Sequence, residues 1–531
     1  MKNISFKSSI LILKIILISL MILYFFGNLY SPAKFGFDAW SYYEISKEIF
    51  SNFNQINTFR QYQIPQPFNI SFPPLYPFFI SIFNYFFNLG IYSGYFLNFI
   101  FLIVTILIIL KISNIYFKNE FIGLVISLLL ITSPSFIKVL IGADSIPFFV
   151  LLFYIAFYLS LKVKGNFYLM SITGIFSGLM FLNRFDSLLA SFAFCASFSF
   201  IFRKKTNPFL SILIFSFFFF ITNSYYFFDN YKKYENIFMS DNSRTVLSVE
   251  STYVSDFYES DIIMAHDEPL NWVIKCFKNL LKSSVGIFKN KYSKEIFILV
   301  ILMLYVSNFN KHLPFNIKSM NFTRNEKIGF CFLIFTITQV FSVFLTGYSD
   351  PRYFIHSIIF NFIYSLILFR KNLLKIKNKF ESSYMNNNIL LVTIILLYTI
   401  PQKIYTFNSL YNLYAYPVKY NESHLILNKD LKILERELVN YKKSKLLWLN
   451  GPPSILQGPQ FGAITGLTIF HRPYNLGEHN LKSFLNSYSP THILYSNENP
   501  SKKKLFIFNL INDNYNLKKS NDFLFEINYQ K

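Results

Sequence analysis

The sequence contains few of the residues from which soluble catalytic and metal-binding sites are built. Of its 531 residues, 3 are cysteine and 7 are histidine. Cys195, Cys276 and Cys331 are too few and too scattered for a disulfide framework or a metal site. The chain also has no P-loop, no GxGxxG fingerprint, no HExxH pair and no CxxC pair, so soluble nucleotide-dependent chemistry has no support.

Charged residues are scarce, and acidic ones especially so. They make up 15% of the chain, with 50 Lys and Arg against 28 Asp and Glu, which gives a net charge of +22. In a membrane protein such an excess collects in cytoplasmic loops and beside anionic headgroups, so nucleic acid is not an expected partner. His266-Asp267-Glu268 has metal-binding residue types, but adjacent side chains diverge, and we interpret it as a solvated turn. We expect no metal site and no cofactor; a divalent cation stays open as an alternative that no motif supports.

Apolar residues dominate what is present. They form 53% of the chain, including 68 phenylalanines, in runs of up to about 20 residues, the length that crosses a bilayer core. The sequence therefore predicts a mainly α, polytopic bundle of about 11–13 spans. The apolar segments lie at 10–30, 75–89, 91–110, 120–141, 145–161, 168–183, 186–202, 208–228, 295–309, 328–347, 353–369 and 389–406.

The distribution of basic residues predicts the orientation of the bundle. The positively charged connections between segments should be cytoplasmic; they are Lys111–Lys118, Lys162–Lys164, Arg203–Lys205, Lys311–Lys327 and Arg370–Lys379. The N-terminus is then cytoplasmic, and residues 10–30 form a retained first span of a plasma (inner) membrane protein. Loops 31–74 and 229–294 and everything after about 407 face outside. Segment 75–89 is short for a span and is expected to be short or re-entrant.

The last 120 or so residues change character. Residues 426–440 have a helical period, while Lys445–Leu449 and Thr491–Tyr495 have the pattern of buried strands. Turn signals at Gly451-Pro-Pro453 separate them. We therefore expect a transmembrane module over 1–406 and a small extracytoplasmic α/β domain over 407–531.

Polar side chains recur at the predicted outer ends of the spans. They are Asp38, Glu44, Asp144, Arg184, Asp186, Asp350, Arg352 and Tyr353. Carboxylates and arginines at one membrane face suit a transfer in which an acceptor loses a proton while a phosphate leaves. A carboxylate can act as general base, and an arginine can hold the departing anion through paired hydrogen bonds.

Several short motifs, in this order and on this side of the membrane, resemble those of a known superfamily. They are Gly36-Phe-Asp-Ala-Trp-Ser-Tyr42, Phe72-Pro-Pro-Leu-Tyr-Pro77, Thr132-Ser-Pro-Ser135 with Gly142-Ala-Asp144, Gly174 to Gly178 with Asn183-Arg-Phe-Asp186, and Asp350-Pro-Arg-Tyr353. This order is similar to that of the GT-C glycosyltransferases, most of all the branch of protein O-mannosyltransferases and the lipid A aminoarabinose transferase. The resemblance covers about residues 5–370.

The resemblance implies a glycosyltransferase that moves a sugar, with inversion, from a polyprenyl-phosphate carrier to an envelope lipid, glycan or protein at the external face. Asp38 matches the catalytic carboxylate of the first loop, and Arg352 would hold the carrier phosphate. The other candidate substrate-binding residues are Glu44, Tyr76, Asp144, Arg184 and Tyr353. Ala39 follows Asp38 where the protein-mannosylating members have an acidic pair, which argues against metal-assisted chemistry and against a protein acceptor.

Two other functions fit a polytopic chain. A transporter or flippase should carry charged or Gly/Pro-broken positions near mid-membrane, whereas the acidic residues here sit at span ends. An external polysaccharide polymerase shares the topology and the carrier but would place its arginines in one long late loop. Arg244 is the only arginine within 229–294. Both remain alternatives to the transferase.

Overall fold

The computed structural model describes most of the chain's helices and a C-terminal sheet. The described residues are 2–29, 38, 39, 42, 43, 45, 46, 72–90, 92–203, 207–238, 246–249, 263, 265–289, 323–347, 360, 363, 364, 445–450, 468–471, 485, 486, 489–495, 502–520 and 524–529. They form parts of two compact units. Unit 1 comprises 1–30, 95–228 and 276–415, and unit 2 comprises 31–94, 229–275 and 416–531.

The predicted mainly helical bundle is confirmed. Its helices are α1 Lys2–Leu29, α2 Leu75–Phe87, α3 Tyr92–Phe117, α4 Glu120–Ile131, α5 Pro134–Ile141, α6 Ile146–Lys162, α7 Asn166–Asn183, α8 Leu188–Ile201, α9 Pro208–Tyr234, α10 Pro269–Lys289 and α11 Arg324–Leu345. In α3, α9 and α11 the described helix is long and apolar enough to cross a membrane, and several others are apolar but shorter. The segments predicted at 295–309 and 389–406 lie outside the described residues, as does most of 353–369.

Segment 120–141 forms two helices where the sequence suggested one continuous run. α4 starts after Asn119, whose side chain accepts a hydrogen bond from the Phe121 amide at 3.0 Å. The helix ends at Ile131, and Ser133 adopts an extended ψ of 120° immediately before Pro134. A residue before proline is driven out of the α region, and proline itself suits the first position of a new helix. The chain therefore turns here before α5.

Aromatic packing holds the centre of unit 1. Phe332 of α11 lies with its ring centroid 5.5 Å from that of Phe153, 5.1 Å from that of Phe157 and 4.9 Å from that of Phe194, close to edge-on in each case. These rings are buried, and edge-to-face aromatic pairs are stabilised beyond the area they bury. Small residues allow the neighbouring helices α7 and α9 to approach still more closely, because a Cβ at Gly174 would lie 2.7 Å from the Phe215 carbonyl oxygen.

The segment 229–294, predicted as a loop, contains a 21-residue helix, α10. Its lysines at 275, 278 and 282 break the apolar run, so hydropathy does not predict a span there. Helix α2 is 13 residues long, as short as its sequence suggested. At about 1.5 Å per residue it reaches about 20 Å, less than the bilayer core.

The predicted small α/β fold at the C-terminus is confirmed. Five strands form one sheet in the order β2-β1-β3-β5-β4, and one helix, α12 Lys502–Asn514, precedes β4. The strands are β1 Lys445–Asn450, β2 Thr468–His471, β3 His492–Tyr495, β4 Asn516–Lys519 and β5 Leu524–Asn528. β1 is parallel to β2 and β3, whereas β5 is antiparallel to β3 and β4. The core includes Leu447, Ile493 and Ile511, and the helix predicted over 426–440 lies outside the described residues.

Candidate active site

In unit 2, a wall of aromatic rings packs against the helical residues that follow Asp38. Ala39, Tyr42, Ile45 and Ser46 are buried, at the spacing of one helix face. The Tyr42 ring lies 4.9 Å from Phe72 and 5.0 Å from Tyr76, edge-on to both. This packing joins the segment after Asp38 to the Phe72-Pro-Pro-Leu-Tyr76 entry of α2, so two of the sequence motifs meet.

Asp38 lies on the same side of this helical stretch as Tyr42, one turn earlier. It is half-buried, whereas Ala39 and Tyr42 are 2% and 5% exposed. Asp38 is therefore a partly accessible residue directly before residues that pack in the aromatic wall. A carboxylate so placed has the fixed backbone and the partial access that a general base requires.

Tyr76 is part of the wall itself. Its side chain is 0% exposed, and its hydroxyl donates a hydrogen bond to the Gly94 carbonyl oxygen at 3.1 Å. Its described contacts thus fix the start of α2 against the start of α3. Direct contact of Tyr76 with a substrate stays a prediction.

In unit 1, Asp144 lies in the turn between α5 and α6. The residue is 7% exposed, and Oδ1 accepts a hydrogen bond from the Ile146 amide at 3.2 Å, at the first turn of α6. Asn98 of α3 donates to the Asp144 carbonyl oxygen at 3.0 Å, and Asn183 of α7 donates to the Ser145 carbonyl oxygen at 3.1 Å. Two helices, α3 and α7, therefore hold this turn through its backbone carbonyls, and the first turn of α6 binds the Asp144 carboxylate.

Arg184 follows directly after α7, in the same part of unit 1. Nε donates to Asp186 Oδ1 at 3.2 Å and Nη2 donates to Asp186 Oδ2 at 2.9 Å. The two side chains are 13% and 8% exposed. The intervening Phe185 stacks on Tyr226 with 5.5 Å between ring centroids, so the backbone of the pair is anchored in the bundle.

Asn183 connects the two turns. It follows from the hydrogen bond to Ser145 that the turn carrying Asp144 and the turn carrying Arg184 are at the same end of unit 1. The sequence predicted that both turns share one membrane face, and this adjacency agrees with that prediction.

The sequence reading missed the residues that support these candidates. Asn98 lies inside the apolar helix α3, Asn183 is the last residue of the apolar helix α7, and both are 0% exposed. Amides are costly in such a place unless they are hydrogen-bonded, which is the signal that could have identified them. The pairing of Arg184 with Asp186 was also missed, although both residues were named as candidates.

Glu44, Arg352 and Tyr353 lie outside the described residues, and so does Asp350. Within the part of the chain that the structure describes, no group of three or more His, Cys, Asp or Glu side chains could hold a metal ion. The site residues that can be placed are thus Asp38 and Tyr76 in unit 2 and Asp144 and Arg184 in unit 1. Each keeps its predicted role as a hypothesis.

Comparisons with known proteins found one family match and several structural matches. Residues 71–226 match the family model described as dolichyl-phosphate-mannose-protein mannosyltransferase. No curated protein matches the chain significantly. ArnT from Cupriavidus metallidurans, solved bound to undecaprenyl phosphate, is 11% identical with a TM-score of 0.51, over 97% of this chain and 97% of its own. The apo oligosaccharyltransferase of Archaeoglobus fulgidus is 12% identical with a TM-score of 0.46, over 90% of this chain and 69% of its own.

At 11% identity, the similarity to ArnT shows the fold alone. The family match begins at the Phe72-Pro-Pro motif and ends in α9, so it includes the turns that carry Asp144 and Arg184. The match over 71–226 and the fold shared with ArnT confirm the resemblance that the motifs predicted: the chain has the fold of the GT-C superfamily of membrane glycosyltransferases.

Proposed function

We propose that the chain is an integral membrane glycosyltransferase that takes a sugar from a polyprenyl-phosphate carrier and transfers it, with inversion, to an envelope lipid, glycan or protein. The family match supports transfer from a lipid-phosphate sugar, since the matching model is described as using dolichyl-phosphate mannose. The fold shared with ArnT, which was solved with undecaprenyl phosphate, supports a carrier of the polyprenyl-phosphate class.

The observation that carries the proposal is the setting of Asp38. Asp38 is half-buried and lies one helical turn before Tyr42, which packs against Phe72 and Tyr76. A base in such a setting keeps a fixed position through the reaction, and position accounts for much of the efficiency of general-base catalysis.

In the proposed reaction, Asp38 removes the proton from the acceptor hydroxyl or amine. The acceptor atom attacks the anomeric carbon from the face opposite the phosphate. The bond between that carbon and the phosphate oxygen breaks, and its electron pair leaves with the carrier phosphate. The proton remains on Asp38, and a single displacement inverts the anomeric configuration.

Arg352 is the candidate for holding the leaving phosphate, through the paired donors of its guanidinium. Glu44, Tyr353, Asp144 and Arg184 are candidates for contacts with the sugar or the acceptor. Neither the sugar nor the acceptor is fixed by these residues, but Ala39 after Asp38 favours a lipid or glycan acceptor over a protein.

We also propose that the protein lies in the plasma (inner) membrane as a multi-pass protein with a cytoplasmic N-terminus. The basic connections between spans support this orientation through the positive-inside rule. The reaction and the C-terminal domain would then be on the extracytoplasmic side, where lipid-linked sugars, envelope acceptors and membrane lipids meet.

Asp38→Asn tests the catalytic assignment directly. The amide keeps the size of the side chain but cannot accept a proton at neutral pH, so in vitro transfer from a polyprenyl-phosphate sugar should fall about 10²–10⁴-fold. Binding of the carrier lipid by the purified variant should persist. Glu44→Gln, in the same loop, should have a much milder effect, because Glu44 is a candidate for substrate contact and not the base. Transfer by Asp38→Asn within a few-fold of the unsubstituted protein would mean that Asp38 is not the base.

A further inference from the structure

Helix α10 buries its polar face and exposes its apolar face, the reverse of what is expected of a helix that faces water. Lys275, Asn279 and Ser283 are spaced four residues apart on one face, and they are 5%, 4% and 0% exposed. The opposite face carries an apolar stripe, which we define as Leu270, Val273, Ile274, Phe277, Leu281 and Val285. Phe277 is 62% exposed and Leu270 is 72% exposed. An exposed apolar stripe of this length indicates a surface that is covered in the working protein.

The buried polar face is used to hold the helix in place. In unit 2, Lys275 Nζ donates to the Ser248 carbonyl oxygen at 2.9 Å, and Trp272 Nε1 donates to the Val246 carbonyl oxygen at 2.8 Å. A buried ammonium is tolerated only with such partners. The polar residues therefore fix α10 with its apolar stripe turned outward.

Helix α10 contacts the end of α11, a candidate membrane span, and this contact indicates its depth relative to the membrane. In unit 1, Asn279 Nδ2 donates to the Leu345 carbonyl oxygen at 2.9 Å, and Ser283 Oγ contacts the Phe344 carbonyl oxygen at 3.4 Å. These carbonyls belong to the last turn of α11, where helix carbonyls lack partners within the helix. Gly347, with φ of 81°, then turns the chain away. If α11 crosses the membrane, α10 meets it at the end of the span, where a bilayer would give way to water.

The charges of α10 fit a lipid surface. The exposed Lys278 and Lys282 flank the apolar stripe, one helical turn apart. Lysines within the 21-residue helix make a transmembrane placement costly, whereas an apolar stripe bordered by lysines is typical of helices that lie in the headgroup region. A second copy paired through the same stripe would bring like-charged lysines together. Lipid phosphates complement them instead.

We propose that α10 binds the surface of an anionic lipid bilayer, with its apolar stripe below the headgroups and with Lys278 and Lys282 among the lipid phosphates. This role requires only that the chain is embedded in a membrane. It does not rest on the proposed transferase activity.

The test uses the full-length chain in lipid nanodiscs with one fluorescent label on α10. Phe277→Cys is made in a Cys276→Ser background, and the label is probed with doxyl-labelled lipids and with aqueous iodide. Lys518→Cys, on the exposed strand β4, is the reference position. We expect the label at 277 to be quenched by the lipids and protected from iodide, and the label at 518 to show the reverse.

The contribution of the lysines is tested in discs that contain anionic phospholipid. Lys278→Glu with Lys282→Glu should lower lipid quenching at 277 at least twofold, because an anionic surface attracts lysines and repels the glutamates that replace them. The same charge change at Lys518 and Lys519 should leave it unaltered. In purely zwitterionic discs, lipid quenching at 277 should be equally low with and without the two substitutions at Lys278 and Lys282.

Three results would overturn the proposal. Quenching at 277 by iodide instead of lipid would place the stripe in water. Protection from both quenchers, together with cross-linking of 277 between two chains, would make a second copy the occupant. Equal lipid quenching with and without the two lysines, in anionic discs, would remove the anionic surface as the partner.

Discussion

The nearly buried ion pair between Arg184 and Asp186 offers the sharpest test of the site in unit 1. The two hydrogen bonds, at 3.2 and 2.9 Å, join nearly buried side chains. Replacing either residue alone by leucine leaves the other charge buried without its partner. The expected loss is about 3–5 kcal/mol in the free energy of unfolding for each single variant.

The double variant Arg184→Leu with Asp186→Leu should be more stable than either single variant, because it leaves no uncompensated charge. The coupling energy from the cycle should then be at least ~2 kcal/mol. Unfolding of the purified proteins in mixed micelles, with rising SDS and tyrosine fluorescence as readout, gives the four values.

A solvent-exposed contact in the same chain serves as the control. His266 Nε2 lies 3.4 Å from Asp267 Oδ1, with side chains 79% and 54% exposed. Asp267→Ala should therefore change stability by less than about 1 kcal/mol. If the Arg184 and Asp186 variants behave in the same way, or if their effects simply add, the pair does not hold the turn. In a stable double variant, a loss of sugar transfer would show that the charged groups of the pair are needed for activity as well as for stability.

Two further predictions concern other parts of the fold. A Cβ at Gly178 would lie 2.8 Å from Asn223 Nδ2 and from Thr222 Cβ, so Gly178→Ala should force α7 and α9 apart and lower the free energy of unfolding by about 1–3 kcal/mol in the same SDS titration. The control is Ser171→Ala, which removes a hydrogen bond within α7 and should change stability little. Unchanged stability of Gly178→Ala would refute the close approach of the two helices. Burial lowers the pKa of His492 on β3, with Glu526 opposing the shift, so the unfolded chain binds a proton more readily and the C-terminal domain should lose stability as pH falls below the ordinary histidine pKa of about 6.5. Melting of that domain between pH 7.5 and 5.0 in the full-length protein checks this, and His492→Gln should flatten the dependence; identical profiles for the two would contradict it.

The sequence predicted the helices and strands whose signal is local. α3, α9 and α11 stand out because about 20 consecutive apolar residues suffice to indicate a span. β1 and β3 were predicted because short apolar runs between turn signals indicate buried strands. β4 was not predicted, since Asn516–Lys519 is polar and mostly exposed and forms a strand only through its pairing with β5.

Helix α10 shows where hydropathy fails. Its apolar residues recur at a helical spacing, but Lys275 and Lys278 lower the average, and the segment was interpreted as loop. The sequence does not say that Lys275 is the buried side chain and Phe277 the exposed one. That inversion depends on the carbonyl groups of Val246 and Ser248, which lie almost 30 positions earlier in the chain.

One part of the candidate site could be predicted from the sequence, and the other part could not. Residue type and position relative to the apolar segments were enough to select Asp38, Asp144 and Arg184 and to predict the fold. Only the tertiary structure decided that Tyr42, Phe72 and Tyr76 hold the backbone beside Asp38 and that Asn98 and Asn183 hold the Asp144 turn. Hydropathy is summed over neighbours in sequence. The hydrogen bonds from Asn98 to Asp144 and from Asn183 to Ser145 join residues 46 and 38 positions apart, and only folding brings these groups together.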